Sequence, residues 1–208
     1  MPVEKLTPER RRQLTRDALV EAAEEVFAQK GFYGASLEEI AATAGFTRGA
    51  IYSNFGTKEE LLFAVIDRFF DRQFAAFEEV LDSAPDRNPV QDAISAAAVF
   101  QSFSPQSRIV TTLELELRLA ALRNPDARKR LAERERDTSL KAAELVEREV
   151  RRHGLKLEMP ARDLADIGRA AVEGLLQLAA IDEEERPRYE SLIQAVFVLM
   201  AGASIKPS

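Results

Sequence analysis

The sequence predicts an all-α fold of nine helices, and three observations carry that prediction. Apolar residues recur three and four apart through most of the chain, the period of one helix face. Two S/T-x-x-E boxes, Ser36/Glu39 and Thr57/Glu60, mark helix starts, while Gly31, Asn124-Pro125 and Pro187 fall between periodic stretches. Alternating Val/Thr/Tyr-rich runs bounded by hairpin turns are missing.

The first helix is expected over residues 8–30, with Ala18, Ala22, Val26 and Phe27 inward and Gly31 as its stop. The second spans 36–44 under the Ser36 cap, the third spans 47–55, and the fourth starts at the Thr57 box and runs to 82. Pro85 lies in a loop, and Pro89 suits the first turn of a fifth helix. The sixth, 106–123, contains Leu113-Glu-Leu-Glu-Leu-Arg-Leu119, which alternates as a half-buried strand would. The same residues fit a helix with two apolar stripes: Val110, Leu113, Leu117 and Ala120 on one side, Leu115, Leu119 and Leu122 nearly opposite. Leu, Glu, Arg and Ala favour helix, so this segment is read as a central helix packed on both sides. Asn124-Pro125 separates it from a long charged seventh helix ending at 152. Met159-Pro160 opens an eighth to 181, and Pro187 a ninth ending near Gly202. The last six residues are expected to fray.

Composition excludes several function classes. With 46% hydrophobic and 31% charged residues, the 208-residue chain reads as soluble and globular. Its longest apolar stretch, 195–203, is about half the ~18 residues a membrane span needs. Residues 1–12 are basic and lack an apolar core, so no secretory leader is expected and a cytoplasmic location is. Without cysteine there are no disulfides or thiolate metal sites. The single histidine, His153, follows two arginines and precedes Gly154, as at a helix C-terminus. The mixed-sign run 128–137 reads as a solvated face with i,i+4 pairs. No H-E-x-x-H or Gly-rich phosphate loop is present. No catalytic residue, metal or cofactor is therefore expected, and an enzyme is not.

The net charge of −6 argues against a nucleic-acid partner until it is mapped. Residues 1–58 hold eight Lys/Arg and eight Asp/Glu; the remainder holds 21 and 27 and carries the whole excess. Arg10, Arg11, Arg12 and Arg16 cluster in the neutral part, and a local basic face can bind phosphate on an acidic protein.

Residues 36–55, Ser-Leu-Glu-Glu-Ile-Ala-Ala-Thr-Ala-Gly-Phe-Thr-Arg-Gly-Ala-Ile-Tyr-Ser-Asn-Phe, form two short helices around Gly45. That is the pattern of a helix-turn-helix. Leu37, Ile40, Ala41, Ile51 and Phe55 face inward, leaving Thr47, Arg48, Tyr52, Ser53 and Asn54 outward or toward the helix start. Recognition helices read DNA with their first residues. Arg48 can grip guanine O6 and N7, Gly49 and Ala50 permit close approach, and the hydroxyls of Thr47, Tyr52 and Ser53 reach phosphate or base edges. Lys58 opens the fourth helix, whose free N–H groups favour a phosphate. The alternatives are an ordinary capped helical hairpin, or a helical adaptor that binds only proteins.

The run Gly45-Phe-Thr-Arg-Gly-Ala-Ile-Tyr-Ser-Asn-Phe-Gly-Thr-Lys-Glu-Glu-Leu61 resembles the signature of the tetracycline-repressor (TetR) family of bacterial transcription regulators. So does Ala22-Ala-Glu-Glu-Val-Phe-Ala-Gln-Lys-Gly-Phe-Tyr-Gly-Ala-Ser-Leu37. Asn54 departs from the His or Tyr often found there. The resemblance implies a nine-helix architecture with a helix-turn-helix domain at 1–57, including an arm at 1–9, and a ligand-binding and dimerisation domain at 58–208. It implies a homodimer on a palindromic double-stranded DNA operator, released by a small-molecule effector; an activator of the same fold is the alternative. Thr47, Arg48, Gly49, Tyr52, Ser53, Asn54 and Lys58 are carried over as DNA contacts, and Ser36 can add a phosphate contact.

Twelve Phe and no Trp give a Phe-heavy interior, most of it packing. Within it Phe70, Phe74, Phe100, Phe103, Leu113 and Leu117 are expected to line the effector pocket. Glu114 and Arg118, four apart, either pair with each other or meet a polar ligand group. In the last two helices Leu164, Ile167, Ala171, Leu175 and Leu178, with Leu192, Val196, Phe197 and Met200, form stripes suited to a dimer interface. An intramolecular core is the other reading of these stripes. Gly168 and Gly174 allow close helix approach. The effector is expected among helices four to seven, with the fourth helix as the lever.

Overall fold

A computed structural model describes residues 7–83, 87–203 and 205–207. Nine α-helices lie among the described residues: α1 (Pro8–Gly34), α2 (Leu37–Thr43), α3 (Arg48–Phe55), α4 (Lys58–Asp82), α5 (Pro89–Ser102), α6 (Ser104–Arg123), α7 (Pro125–Arg152), α8 (Ala161–Ile181) and α9 (Arg186–Ala203). The helix boundaries follow local chemistry. Asn88 and Gln91 make a reciprocal capping box at α5, and Asn124 Oδ1 accepts the Asp126 and Ala127 N–H groups at α7. Ser36 Oγ accepts the Glu39 N–H at 3.1 Å, but the Glu39 carboxylate turns to Lys30 instead of completing its box.

The all-α expectation holds with one exception. Leu155–Leu157 (β1) pairs antiparallel with Ile205–Pro207 (β2), so this part of the tail expected to fray is tied down by main-chain hydrogen bonds. Residues 204 and 208 lie outside the described residues, as do 1–6 of the expected arm and the Pro85 loop. Arg10, Arg11 and Arg12 lie in the exposed first turns of α1.

Two compact units divide the chain, with breaks at 70/71, 111/112 and 119/120. The first comprises Met1–Phe70 and Thr112–Leu119, the second Asp71–Thr111 and Ala120–Ser208. Its own core holds the first unit together. Leu19, Ile40, Ile51, Leu62, Ile66, Leu113 and Leu117 are each almost wholly buried, and each such side chain contributes about 1.5–3 kcal/mol. One stripe of α6 therefore packs as predicted. The opposite stripe does not: Leu115, Leu119 and Leu122 are exposed, because α6 meets packing partners on one face within this chain.

In the second unit α8 packs against α7 and α9, and α5 against α9. At Gly168 a Cβ would overlap the Met200 thioether, so this glycine serves the approach of α8 and α9 inside one chain. The charged run in α7 also reaches further than a solvated face. Glu135 pairs with Arg169 of α8 at 2.6 Å instead of with a neighbour four residues along.

Candidate DNA interface and interior cavity

The turn between α2 and α3 is built on Gly45, whose φ of 74° is strained for any residue with a Cβ. Gly45 and Phe46 N–H groups bond to the Ala42 and Ala41 carbonyls, closing α2 before α3 begins. Ile40 and Ile51 are fully buried beneath the two helices. That burial fixes which face of α3 is outward: Thr47, Arg48, Gly49, Tyr52 and Ser53 are all exposed, as is Ser36. Thr47 caps α3 by backbone geometry without spending its hydroxyl on the cap.

Arg48 is pre-set on this face. Its guanidinium donates to the Tyr52 hydroxyl at 2.6 and 3.2 Å and pairs with Glu38 of α2. The hydrogen bond to Tyr52 and then the charge of Glu38 raise its pKa, keeping it cationic. Both partners are surface groups, so DNA competes with a screened contact and not a buried one.

Two predicted contacts are placed differently. The Lys58 ammonium donates to the Ala35 carbonyl at 2.5 Å and lies 4.6 Å from the Phe32 ring centroid. Burial lowers its pKa, against the raising influence of Glu59 and Glu116. Lys58 is thus turned inward to the α1–α2 connection, drawn by a carbonyl that the helix break leaves open. Asn54 is half-buried and donates its side-chain amide to the Ala50 carbonyl at 2.8 Å, so it faces its own helix.

Sequence reasoning missed the residues that hold this unit. Arg16 stacks 4.2 Å over the Phe55 ring and donates to the Asn54 carbonyl at 2.9 Å, clamping the end of α3 onto α1. Glu116 of α6 accepts the Phe32 N–H at 2.9 Å, just past Gly31, where φ of 70° breaks α1. The one available signal was Glu116 itself, a carboxylate flanked by the leucines of an apolar helix.

The expected pocket residues divide between the two units. Phe70, Leu113, Glu114, Leu117 and Arg118 belong to the first unit, and Phe74, Phe100 and Phe103 to the second. Leu113 and Leu117 are filled core, Phe70 packs edge-on against Phe69, and Phe100 packs near Phe197 while lining a small void of about 30 Å³. A cavity of about 180 Å³ lies elsewhere, wholly in the second unit. Ala93 and Ala96 of α5 and Ala201 of α9 make the room, and Leu164, Phe197 and Met200 also line it. These last three were expected at a dimer interface. Leu164 is instead buried inside the chain, and Phe197 and Met200 line the void. Ile167, Leu178 and Leu192 are exposed, and Ala171, Leu175 and Val196 half-buried.

One wall of the cavity is polar. Asp92 of α5, 7% exposed, takes Arg87 Nε at 2.9 Å on one oxygen. Its other oxygen takes Arg152 Nη2 at 2.5 Å and His153 Nε2 at 2.7 Å. Burial opposes its charge, but the hydrogen bonds from His153, Arg87 and Arg152 outweigh that and hold its carboxyl below the ordinary carboxylate range. His153 does end α7 as expected, and it also joins this cluster. Asp92, Glu149 and His153 have metal-ligand spacing. Both Asp92 oxygens are already bonded to arginines, however, so a cation would displace two fixed positive charges.

A buried helical pair with a glycine turn and an outward Arg/Tyr/Ser/Thr face defines a helix-turn-helix DNA-binding regulator. Residues 19–65 match the sequence model described as "Bacterial regulatory proteins, tetR family", and the chain is similar to regulators of that kind along most of its length. It is 26% identical over 196 residues to the HTH-type transcriptional regulator UidR of Escherichia coli K12, covering 91% of this chain and 93% of UidR. Among solved structures, a TetR-family regulator from Rhodococcus sp. superposes with a TM-score of 0.74 at 20% identity, covering 91% of this chain and all of that one. SmeT, the repressor of the Stenotrophomonas maltophilia multidrug efflux pump SmeDEF, superposes with a TM-score of 0.63 at 26% identity, covering 94% and 92%. Among the described residues no helix is long and apolar enough to cross a membrane.

Proposed function

We propose that the protein is a homodimeric repressor that binds a palindromic operator through α3 and leaves it when a small apolar effector fills the 180 Å³ cavity. The observation that carries this reading is the α3 face, where Arg48, Tyr52, Ser53 and Thr47 are exposed together above the buried Ile51. Arg48 exchanges Glu38 for a base edge, while the hydroxyls and Ser36 serve phosphates. Exposed Ile167, Leu178, Ile181, Leu192 and Leu199 on α8 and α9 support a dimer, since such side chains gain by leaving water. SmeT supports the two finer points: it is named a repressor and has been solved with triclosan.

α4 supports a route for the effector. Leu81, in its last turn, lines the cavity, and Lys58 begins the same helix against the Ala35 carbonyl. An effector releases DNA only if it binds the DNA-incompetent arrangement more tightly. The test is fluorescence anisotropy with DNA flanking the protein's own gene over a salt series. Salt-dependent binding with two protected half-sites about one helical turn apart is expected. A monomer in sedimentation, or affinity no better than for unrelated DNA, refutes the reading. Reporter output that falls on deleting the gene would make the protein an activator.

A further inference from the structure

A second charged group shares the outward face with Arg48, and it comes from α2. Resting on the reading of α3 as the helix that meets DNA, we infer that Glu38 is a specificity-determining residue: Arg48 takes a guanine, and Glu38 takes the amino group of the cytosine paired with it.

The core sets the placement. Leu37, Ile40 and Ala41 are buried, which leaves Glu38 on the exposed side of α2, within reach of the start of α3. There its carboxylate pairs with Arg48 Nη1, while Arg48 Nε and Nη2 donate to the Tyr52 hydroxyl at 3.2 and 2.6 Å. The neighbouring Glu39 is held back by Lys30 of α1. The heads of Glu38 and Arg48 therefore adjoin, and with 60% and 54% of their side chains exposed they separate without stranding a buried charge.

The chemistry follows from what a carboxylate accepts. Arg48 leaves this surface pair at small cost. Once it turns to guanine O6 and N7, Glu38 is an ionised acceptor facing DNA. Phosphate, guanine O6 and thymine O4 are acceptors too and offer it nothing. The major-groove donors are cytosine N4 and adenine N6. Guanine O6 and cytosine N4 face each other across one base pair. A donor and an acceptor side by side on the protein thus meet an acceptor and a donor side by side on the DNA. An A·T pair in that place would set thymine O4 against the carboxylate, and a C·G pair would reverse donor and acceptor. Either leaves Glu38 without a donor, so Glu38 enlarges the penalty for the wrong pair.

Modified bases test this by competition fluorescence anisotropy on the full chain, with duplexes carrying the two half-sites protected beside the protein's own gene. Each guanine is replaced in turn by 7-deazaguanine, which lacks the N7 acceptor. Each cytosine is replaced in turn by N4-methylcytosine, whose amino group keeps its pairing hydrogen and loses the one in the groove. At one pair per half-site the wild type should bind the N4-methylcytosine duplex about tenfold more weakly than the unmodified one. In Glu38→Ala that ratio should fall to about one, while continued protection of both half-sites shows that the variant is folded. Arg48→Ala should lose its response to 7-deazaguanine at the same pair. A wild type indifferent to N4-methylcytosine at every pair, a ratio unchanged in Glu38→Ala, or responses of the two variants at different pairs overturns the inference. If 7-deazaguanine acts through Arg48 and N4-methylcytosine has no effect, the inference alone fails. If neither half-site is preferred over unrelated DNA, the DNA reading of α3 fails with it.

Discussion

The outward face of α3 and the polar wall of the cavity are built on opposite terms. On α3 the candidate contact groups are exposed and free to exchange partners: Arg48 rests on Tyr52 and on Glu38 of α2 at the surface. In the wall, Asp92 is 7% exposed and bonded on both oxygens to groups from the chain before α5 and from the end of α7. The first region loses little by giving up its contacts. The second cannot give up one without stranding a buried charge. The exchangeable partners thus lie on the helix proposed to read DNA, and the fixed ones beside the cavity.

Breaking the wall should have the largest effect. Asp92→Asn leaves Arg87 and Arg152, each 22% exposed, facing a neutral amide, and should cost about 3 kcal/mol in thermal or urea unfolding. The pH dependence has a definite sign. Asp92 titrates lower in the folded protein than its unfolded reference of 3.8. Its stabilising contribution is therefore complete above that reference and is lost as pH falls toward the folded value. Unfolding midpoints of wild type and Asp92→Asn should converge below about pH 4; parallel curves would deny the cluster its role.

Arg48→Ala tests the exchangeable side of the comparison. It removes only surface contacts, so stability should change by less than about 0.5 kcal/mol. Discrimination at one operator base pair should fall by about 1–3 kcal/mol, read by competition with single-base operator variants. Unchanged preference at every position would remove Arg48 from base reading. Glu116→Ala comes next. It leaves the Phe32 N–H at the Gly31 break without its acceptor, and should cost the first unit about 1–2 kcal/mol by hydrogen exchange of α1 amides.

These two regions were not equally legible in the sequence. The α3 face followed from local signals: Ser36 at a cap, Gly45 at a positive φ, and Ile51 and Phe55 four apart, all within twenty residues. Helices were legible for the same reason. The cavity is made by what is small, Ala93, Ala96 and Ala201, on elements about a hundred residues apart. Bulky phenylalanines drew attention as pocket walls, but Phe70 packs on Phe69 and Phe100 reaches only the small void, while Phe197, which does line the cavity, was read as an interface residue. Asp92 did carry a signal, as a carboxylate among Val90, Ala93, Ala96 and Ala97, yet its partners Arg152 and His153 lie some sixty residues on. Strand β1 is three residues long, and its pairing with β2 is set by a partner fifty residues away.

Lys58 has the smallest expected effect, and its outcome decides on which side of the comparison it belongs. By position it resembles a phosphate contact at the start of α4, and a lysine holding phosphate contributes about one unit of salt slope. Its ammonium instead closes the α1–α2 connection, on the Ala35 carbonyl and over the Phe32 ring. Lys58→Ala should then cost the first unit about 1 kcal/mol and weaken operator binding modestly at every salt concentration, leaving the slope of log affinity against log salt unchanged. A slope smaller by about one unit would return Lys58 to the DNA face and make its bond to Ala35 a resting contact, exchanged on binding as Arg48 exchanges Glu38.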